Sequence, residues 1–444
     1  MVKEGGPGSA ASRGLRMGKL GLMLAGSYLG YQLQNLWLGE QGQAQRRLLF
    51  HQKASRRVRK ELESLKGPFM KFGQVLSMQT QALPDEAIGE LANLQMHAPG
   101  MHPTLARAQF RSSYGKNPEE VFRAFEDEPF AAASLGQVHR AVTRRGDKVA
   151  VKIQYPAIRT AIENDFRLLR SATLPGRLTG HAPVAILDEV QRGFLEEIDY
   201  INEGKNLEFF REKLRGFAFL TIPRVHWDLT TDRVLTMSFV EGVTVGDFLQ
   251  GKPSQAVRDL IGHRLFELFH FQVQCVHALH ADPHAGNYLF EPDGRIGLVD
   301  FGCVKRFSGD IAELMRCCVE RFWLQGKEQS QRVVQLIWGP KVSFTKARRM
   351  LSVFEEFLDI VFPPAGDAGV LVDFGKPALL NALERNLRRA VRDKLTNAEF
   401  AFISRAELGL YNLLHQLRAR VKTREVWRRV LERTAGKATR TGTD

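Results

Sequence analysis

Two short runs near the middle of the sequence carry the groups that phosphoryl transfer requires. In HADPHAGN, His280 to Asn287, an Asp is followed five residues later by an Asn, within a loop that contains Pro and Gly. A carboxylate and an amide at the mouth of one site divide the work: Asp282 orients or deprotonates an acceptor, and the side-chain oxygen of Asn287 ligates a metal. Thirteen residues after Asn287 stands Asp300, in LVDFG, at the end of the second strand of a hairpin that turns at Pro292-Asp293-Gly294. From there a carboxylate can offer a hard oxygen to Mg2+, which takes carboxylates together with substrate phosphates. The hairpin returns the chain to its start, so Asp300 comes back toward Asp282. A single loop Asp is more often structural, but the three residues in this order form a specific constellation.

Upstream, VAVK places Lys152 on a strand, where a lysine can reach α- and β-phosphates. A lysine buried in a sheet is costly unless paired, and the carboxylates of EEIDYINEGKN supply candidates. Glu203 is the expected partner, which leaves Glu197 and Asp199 for another task; an exposed acidic helix face is the competing reading for each. The phosphate loop departs from an ordinary protein kinase. In place of GxGxxG, whose glycines let backbone approach phosphate oxygens, the chain has AAASLGQV, with Ala131 to Ala133 before Ser134 and Gly136. Such a loop must grip nucleotide differently. After Asp300-Phe301-Gly302 the sequence enters a helix from about Ser308 with no APE motif, so a peptide-binding groove is not expected. LVDFG recurs at Leu371 to Gly375 without a preceding Asp loop or hairpin, and this copy is assigned no metal role.

The elements that must position these groups follow from periodicity. Short apolar runs at Val121 to Phe125, Gly136 to Thr143 and Lys148 to Gln154 read as strands, the last two joined across Arg145-Gly146-Asp147. Helical, charge-rich patterning runs from Pro156 to Lys213, and strand-like runs return at Ile222 to Trp227 and Arg233 to Phe239. From Gln255 nearly everything is helical except the hairpin of Tyr288 to Phe290 and Arg295 to Val299. Residues 43 to 95 read as helices, with Gly67-Pro68 as a break and Lys71 and Gln74 on one face of the helix that follows.

In their order and spacing, KFGQ at Lys71 to Gln74, AAASLGQVH at Ala131 to His139, VAVK, EID at Glu197 to Asp199, HADPHAGN and LVDFG resemble the UbiB/AarF family of atypical kinases over about residues 50 to 310. The resemblance implies an α+β, two-lobed protein-kinase-like fold with an N-terminal helical extension and a largely helical C-terminal lobe. The domains it implies are an appendage at 1–42, the extension at 43–115, the N-lobe at 116–242 and the C-lobe at 243–444. Lys71 and Gln74 would belong to the KxGQ motif that points into the nucleotide cleft on the acceptor side, and Glu197 and Asp199 to an ExD motif that contacts the extension. The implied nucleotide-binding set is Ala133, Ser134, Gly136, Lys152, Glu203, Phe239, Val240, Asn287 and Asp300, with Asp282, Lys152 and Asn287 catalytic and Asn287 and Asp300 holding Mg2+. Family members bind ATP or ADP, associate with membranes, and serve isoprenoid quinone biosynthesis, with ATPase activity more evident than protein phosphorylation. Ala285 stands where the family usually has Pro. A nucleotide-dependent scaffold presenting lipid intermediates is the alternative, and a Ser/Thr protein kinase is disfavoured.

Composition sets the remaining bounds. The 444 residues, 44% of them hydrophobic, suffice for two well-buried lobes. Four cysteines without CxxC or Cys/His spacing support neither a disulfide framework nor a zinc site. The net charge of +14 is concentrated at the ends, +9 in residues 1–60 and +9 in residues 385–444, around a slightly acidic middle. Basic ends suit an anionic surface, bilayer or nucleic acid, or are solvated helix faces. No basic motif interleaved with aromatics supports nucleic acid. Leu20 to Gly39 is uncharged and follows Arg13, Arg16 and Lys19; its four glycines, Gln32, Gln34 and Asn35 favour a helix lying on a membrane or packed on a partner over a span. The expectation is a cytoplasmic, peripherally membrane-associated protein acting with lipid or quinone-pathway intermediates or enzymes, or an organellar-matrix protein if eukaryotic. Secretion is not expected.

Overall fold

The computed structural model describes residues 101–133, 135–172, 183–280, 284–321, 326–338 and 398–438, with shorter pieces between 355 and 385. Lys71, Gln74, Ser134, Asp282, the helices expected over 43–95 and the segment Leu20 to Gly39 lie outside the described residues. The chain divides into two compact units: one holds residues up to Asn202 and Val225–Phe239, the other Glu203–Arg224 and residues from Val240 onward.

The first unit opens with α1 (Pro103–Tyr114), which has Pro at its start and ends at Gly115, φ 65°, a left-handed turn that glycine adopts without strain. Asn117-Pro118-Glu119-Glu120 then closes a capping box, and the backbone N–H of Asn117 donates to Glu120 Oε1 at 2.8 Å. That box draws Val121 into a one-turn helix, α2 (Pro118–Val121), and shortens the strand expected from Val121 to β1 (Ala124–Phe125). β2 (Ala131–Ala133), β3 (Gly136–Val142) and β4 (Lys148–Gln154) follow, then α3 (Ile158–Ala172), α4 (Pro183–Glu197) and the start of α5 (Tyr200–Lys213), whose residues from Glu203 onward belong to the second unit. β5 (Leu220–Thr221) belongs to the second unit, and β6 (Val234–Ser238) completes the first.

The sheet runs β1-β3-β4-β6, antiparallel throughout, with β2 also paired to β3. One face packs α1: Phe110, Phe122, Val149, Val151, Ile153 and Val234 are all wholly buried. Each such side chain contributes about 1.5–3 kcal/mol of burial. The run Ile222 to Trp227 is not a strand: Pro223 has no N–H to donate, only Val225 bridges to Met237, and Trp227 starts a 3-10 turn. The alanine run, expected as a loop, is instead strand β2.

A buried polar relay spans this unit's core. Met101 N–H donates to Gln137 Oε1 at 2.7 Å, so the amide nitrogen of Gln137 faces His139 Nε2 at 2.8 Å. His139 Nε2 is then the acceptor, and its Nδ1–H donates to the Glu126 carbonyl at 2.9 Å. Burial holds the His139 pKa below its ordinary value, in keeping with this neutral form.

The second unit is mostly helical. α6 (Val245–Gln250) and α7 (Gln255–Phe271) are capped by Thr244 and Ser254, and α7 widens into a π-turn, Gln272–Val276, that stops at His277. β7 (Ala278–His280) precedes the hairpin of β8 (Tyr288–Phe290) and β9 (Ile296–Leu298), and β5 adds to β9 in parallel. β10 (Val304–Arg306) pairs back with β7. Then come α8 (Gly309–Val319), α9 (Lys327–Trp338), β11 (Val372–Asp373), α10 (Ala398–Gln416), β12 (Arg420–Val421) and α11 (Thr423–Ala438). The start of α11 is pinned to the end of α8: Arg424 donates to Pro363 O at 2.9 Å and Glu320 Oε1 at 3.1 Å, and Trp427 Nε1 donates to the same carboxylate at 2.8 Å. No helix among the described residues is long and apolar enough to cross a membrane.

Candidate active site

In the first unit, sheet register fixes which residues share a face. Lys152 stands opposite Val138 on β3 and Leu235 on β6, and Ala150 stands opposite Arg140 and Met237. Directly opposed and alternate residues point the same way. Ala133, Gly136, Val138, Ala150, Lys152 and Met237 therefore line one face, opposite to the one that packs α1. Lys152 is 5% exposed, with Nζ 5.1 Å from the centre of the Tyr200 ring. Val138, Ala150 and Met237 were not singled out from sequence. The signal was present for Ala150, two residues before Lys152 in VAVK, but Met237 enters only through pairing of β6 with β4.

Gly136 has a reason to be glycine that involves no nucleotide. A Cβ there would stand 2.4 Å from the Ile153 carbonyl oxygen and 2.8 Å from the Tyr200 hydroxyl. The first neighbour is backbone and cannot yield. Gly136→Ala is expected to destabilise the protein by about 2 kcal/mol, measured as a lowered urea midpoint with unchanged slope.

Other sequence candidates have structural surroundings of their own. Asp199 is exposed, and its Oδ1 accepts the backbone N–H of Asn202 at 3.0 Å, capping the first turn of α5; Glu197 ends α4, half-buried. Phe239 follows β6, with its N–H on the Lys148 carbonyl at 3.1 Å, its ring 5.6 Å from Phe130 and Arg140 over it at 5.7 Å. Val240, in the second unit, is buried against Gly297 of β9.

The second unit builds the metal-side candidates from the β8–β9 hairpin. Asp293 accepts from the N–H of Arg295 at 3.1 Å and Gly294 has φ 84°, so the tight turn is chemically specified. Tyr288 pairs with Leu298, and the N–H of Val299 donates to the Asn287 carbonyl at 3.1 Å. Asn287 and Asp300 thus leave the same end of one hairpin. Asn287 also closes the 3-10 turn Ala285–Asn287 and is 9% exposed.

Asp300 is held on both sides of its peptide. His280 Nε2–H donates to its carbonyl at 2.5 Å, and its Oδ1 accepts the N–H of Gly302 at 2.9 Å. Phe301 is wholly buried between Phe210 and His280, each 5.1 Å away, and its carbonyl accepts from Asn206 at 3.2 Å. His280 is itself fixed by Gln272, on the π-turn, whose Oε1 accepts the N–H of His280 at 2.9 Å. Glu203 is wholly buried on α5, one turn before Asn206.

A family model described as the ABC1 atypical kinase-like domain matches residues 93–334, more than half of the sequence. The chain belongs to the ABC1 atypical kinase-like family. AarF domain-containing protein kinase 1 of Mus musculus is 34% identical over 312 residues, which are 68% of this chain and 59% of that protein. A protein named probable protein kinase UbiB, from Pseudomonas paraeruginosa, is 34% identical over 236 residues, 52% of this chain and 44% of the relative. The chain thus spans about half the length of these curated relatives. Among solved structures, Rv3197 of Mycobacterium tuberculosis, determined in complex with erythromycin, is similar at TM-score 0.58 and 26% identity over 87% of this chain and 97% of that one. The kinase-like fold is shown by both comparisons. The ABC1 match takes in every described candidate above, from Ala133 on β2 to Asp300, and ends within α9.

Proposed function

We propose that the chain binds an adenine nucleotide with Mg2+ and moves its terminal phosphoryl group, to water or to a small lipid-related acceptor, at an anionic membrane surface. The observation that supports this reading is the β8–β9 hairpin, from one end of which Asn287 and the doubly anchored Asp300 both leave. An amide oxygen and a carboxylate are hard donors that fit Mg2+. Bound with the nucleotide, Mg2+ would supply charge neutralisation at the phosphate oxygens. In this proposal the chain's own residues do the remaining work. Lys152 presents its ammonium to the α- and β-phosphates, with Glu203 as its carboxylate partner, and Val138, Ala150 and Met237 give the base an apolar face. Asp282 orients or deprotonates the acceptor, while Lys71 and Gln74 gate the acceptor side. Glu197 and Asp199 join the extension to this lobe. Names of relatives as protein kinases support the phosphoryl-transfer reading. The family resemblance and the two basic ends support the membrane setting and a role in isoprenoid quinone or other lipid metabolism.

One observation favours a second reading. The strand β2 replaces the glycine-rich turn of protein kinases with paired alanines, which limits backbone approach to phosphates. A nucleotide-gated scaffold would tolerate that change. ATP turnover by wild type and Asp282→Ala decides: the enzyme reading predicts a loss of about 100-fold or more, whereas equal rates in the two proteins select the scaffold.

A further inference from the structure

Tyr200 opens α5 and is only 2% exposed, and its type and spacing alone assign it no role. Three contacts in the first unit tie its corner to the sheet that carries Lys152. The ammonium of Lys152 lies 5.1 Å from the centre of the Tyr200 ring, a cation–π distance. The Tyr200 hydroxyl fills the space beside Gly136, the first residue of β3 and the cross-strand partner of Ala133. Gln154, two residues after Lys152, donates to the Ile198 carbonyl at 2.5 Å and so fixes the turn that leads into α5.

We propose that Tyr200 is a positioning residue for Lys152, holding the ammonium over its ring and locking it to the Ala131–Gly136 hairpin, so that lysine and hairpin meet the nucleotide phosphates as one unit. The proposal rests on the nucleotide-binding reading above. An aromatic face suits this task because it attracts the cation without neutralising it. The ring is also stiff, with two side-chain torsions, and its hydroxyl is registered against the backbone at a position where no side chain fits. Simple core packing by Tyr200 would predict none of the charge-specific behaviour below.

The test is a double-mutant cycle read by equilibrium titration of MgATP and, separately, of adenosine, which has no phosphates for Lys152 to reach. Tyr200→Leu is expected to weaken MgATP binding about tenfold and adenosine binding less than twofold. Tyr200→Phe keeps the ring and is expected to stay within about threefold of wild type for both ligands. In a Lys152→Met background, Tyr200→Leu is expected to change MgATP affinity less than twofold. Wild-type MgATP affinity in Tyr200→Leu, equal weakening of both ligands, or an undiminished effect in Lys152→Met would overturn the positioning role. Failure of the wild-type protein to bind MgATP at all would instead overturn the nucleotide reading on which it rests.

Discussion

Replacing Asp300 by Asn is expected to lower magnesium-dependent ATP turnover by about three orders of magnitude while leaving the fold intact. Asparagine has the same shape, and its side-chain oxygen can still accept the N–H of Gly302, the bond that Asp300 Oδ1 makes at 2.9 Å. The His280 bond reaches the backbone carbonyl of residue 300 and is indifferent to the side chain. Phe301 stays buried between Phe210 and His280. What the substitution removes is negative charge, the property a hard divalent cation requires. The thermal midpoint should therefore move little while magnesium-dependent nucleotide binding disappears. Retention of binding with an unchanged magnesium requirement would remove Asp300 from the metal role.

The second large effect concerns stability against pH, and it arises from two buried groups that oppose one another. His270 is wholly buried among Phe266, Phe269, Phe362 and Trp427, and neither ring nitrogen has a hydrogen-bond partner among the described residues. Burial lowers its pKa to about 3. Between pH 6.5 and about 3 the unfolded chain therefore binds a proton that the folded chain refuses, and stability falls as pH falls. Glu407, buried on α10, accepts from the Tyr411 hydroxyl at 2.6 Å, and burial raises its pKa to about 7. Between pH 4.5 and about 7 the folded chain keeps a proton that the unfolded chain has lost, so stability falls as pH rises.

The two slopes have opposite sign across pH 4.5–6.5, each about 1.4 kcal/mol per pH unit, and there they cancel. Single variants unmask them. Measured against wild type, His270→Phe should gain about 3 kcal/mol between pH 6.5 and 4.5, whereas Glu407→Gln should lose about 3 kcal/mol over the same interval. Urea midpoints at a series of pH values give both curves, and variants that run parallel to wild type would show that neither group is held in its neutral form.

How much of this was legible in the sequence depends on where each element gets its instructions. β3, β4 and the β8–β9 hairpin were readable because local chemistry specifies them: alternation in the strands, and Asp293-Gly294 in the turn. β2 was missed because alanine has little strand preference of its own; its pairing is imposed by register with β3, Ala133 against Gly136. β5 is only Leu220–Thr221, made a strand by its partner β9, while the more apolar run after it is interrupted by Pro223. Pairing of β7 with β10 depends on residues more than twenty apart and left no local mark.

The site shows the same division. Lys152, Asn287 and Asp300 stand out as candidates from type and spacing, but the neighbours that contact each of them do not. Tyr200, Gln272 and His280 act through contacts that only the fold creates. The repeated LVDFG makes the point sharply, because its second copy forms the same local turn. Asp373 Oδ1 accepts the N–H of Gly375 at 2.9 Å, Phe374 is wholly buried, and a histidine, His415, bonds the Phe374 carbonyl at 2.7 Å. The difference lies in the surroundings: Asp373 pairs across to Arg420 on β12, and among the described residues no Asn stands at the head of a neighbouring hairpin strand. Five letters set the turn, and the flanking chain sets what surrounds it.

The most direct measurement is calorimetric titration of the wild-type chain with ATP in the presence of Mg2+ and again in excess EDTA. Saturable binding with Mg2+ that weakens at least about tenfold without it is the predicted result if Asn287 and Asp300 engage the nucleotide through the cation, as proposed. Binding of equal strength in EDTA, or no binding in either condition, would contradict the account.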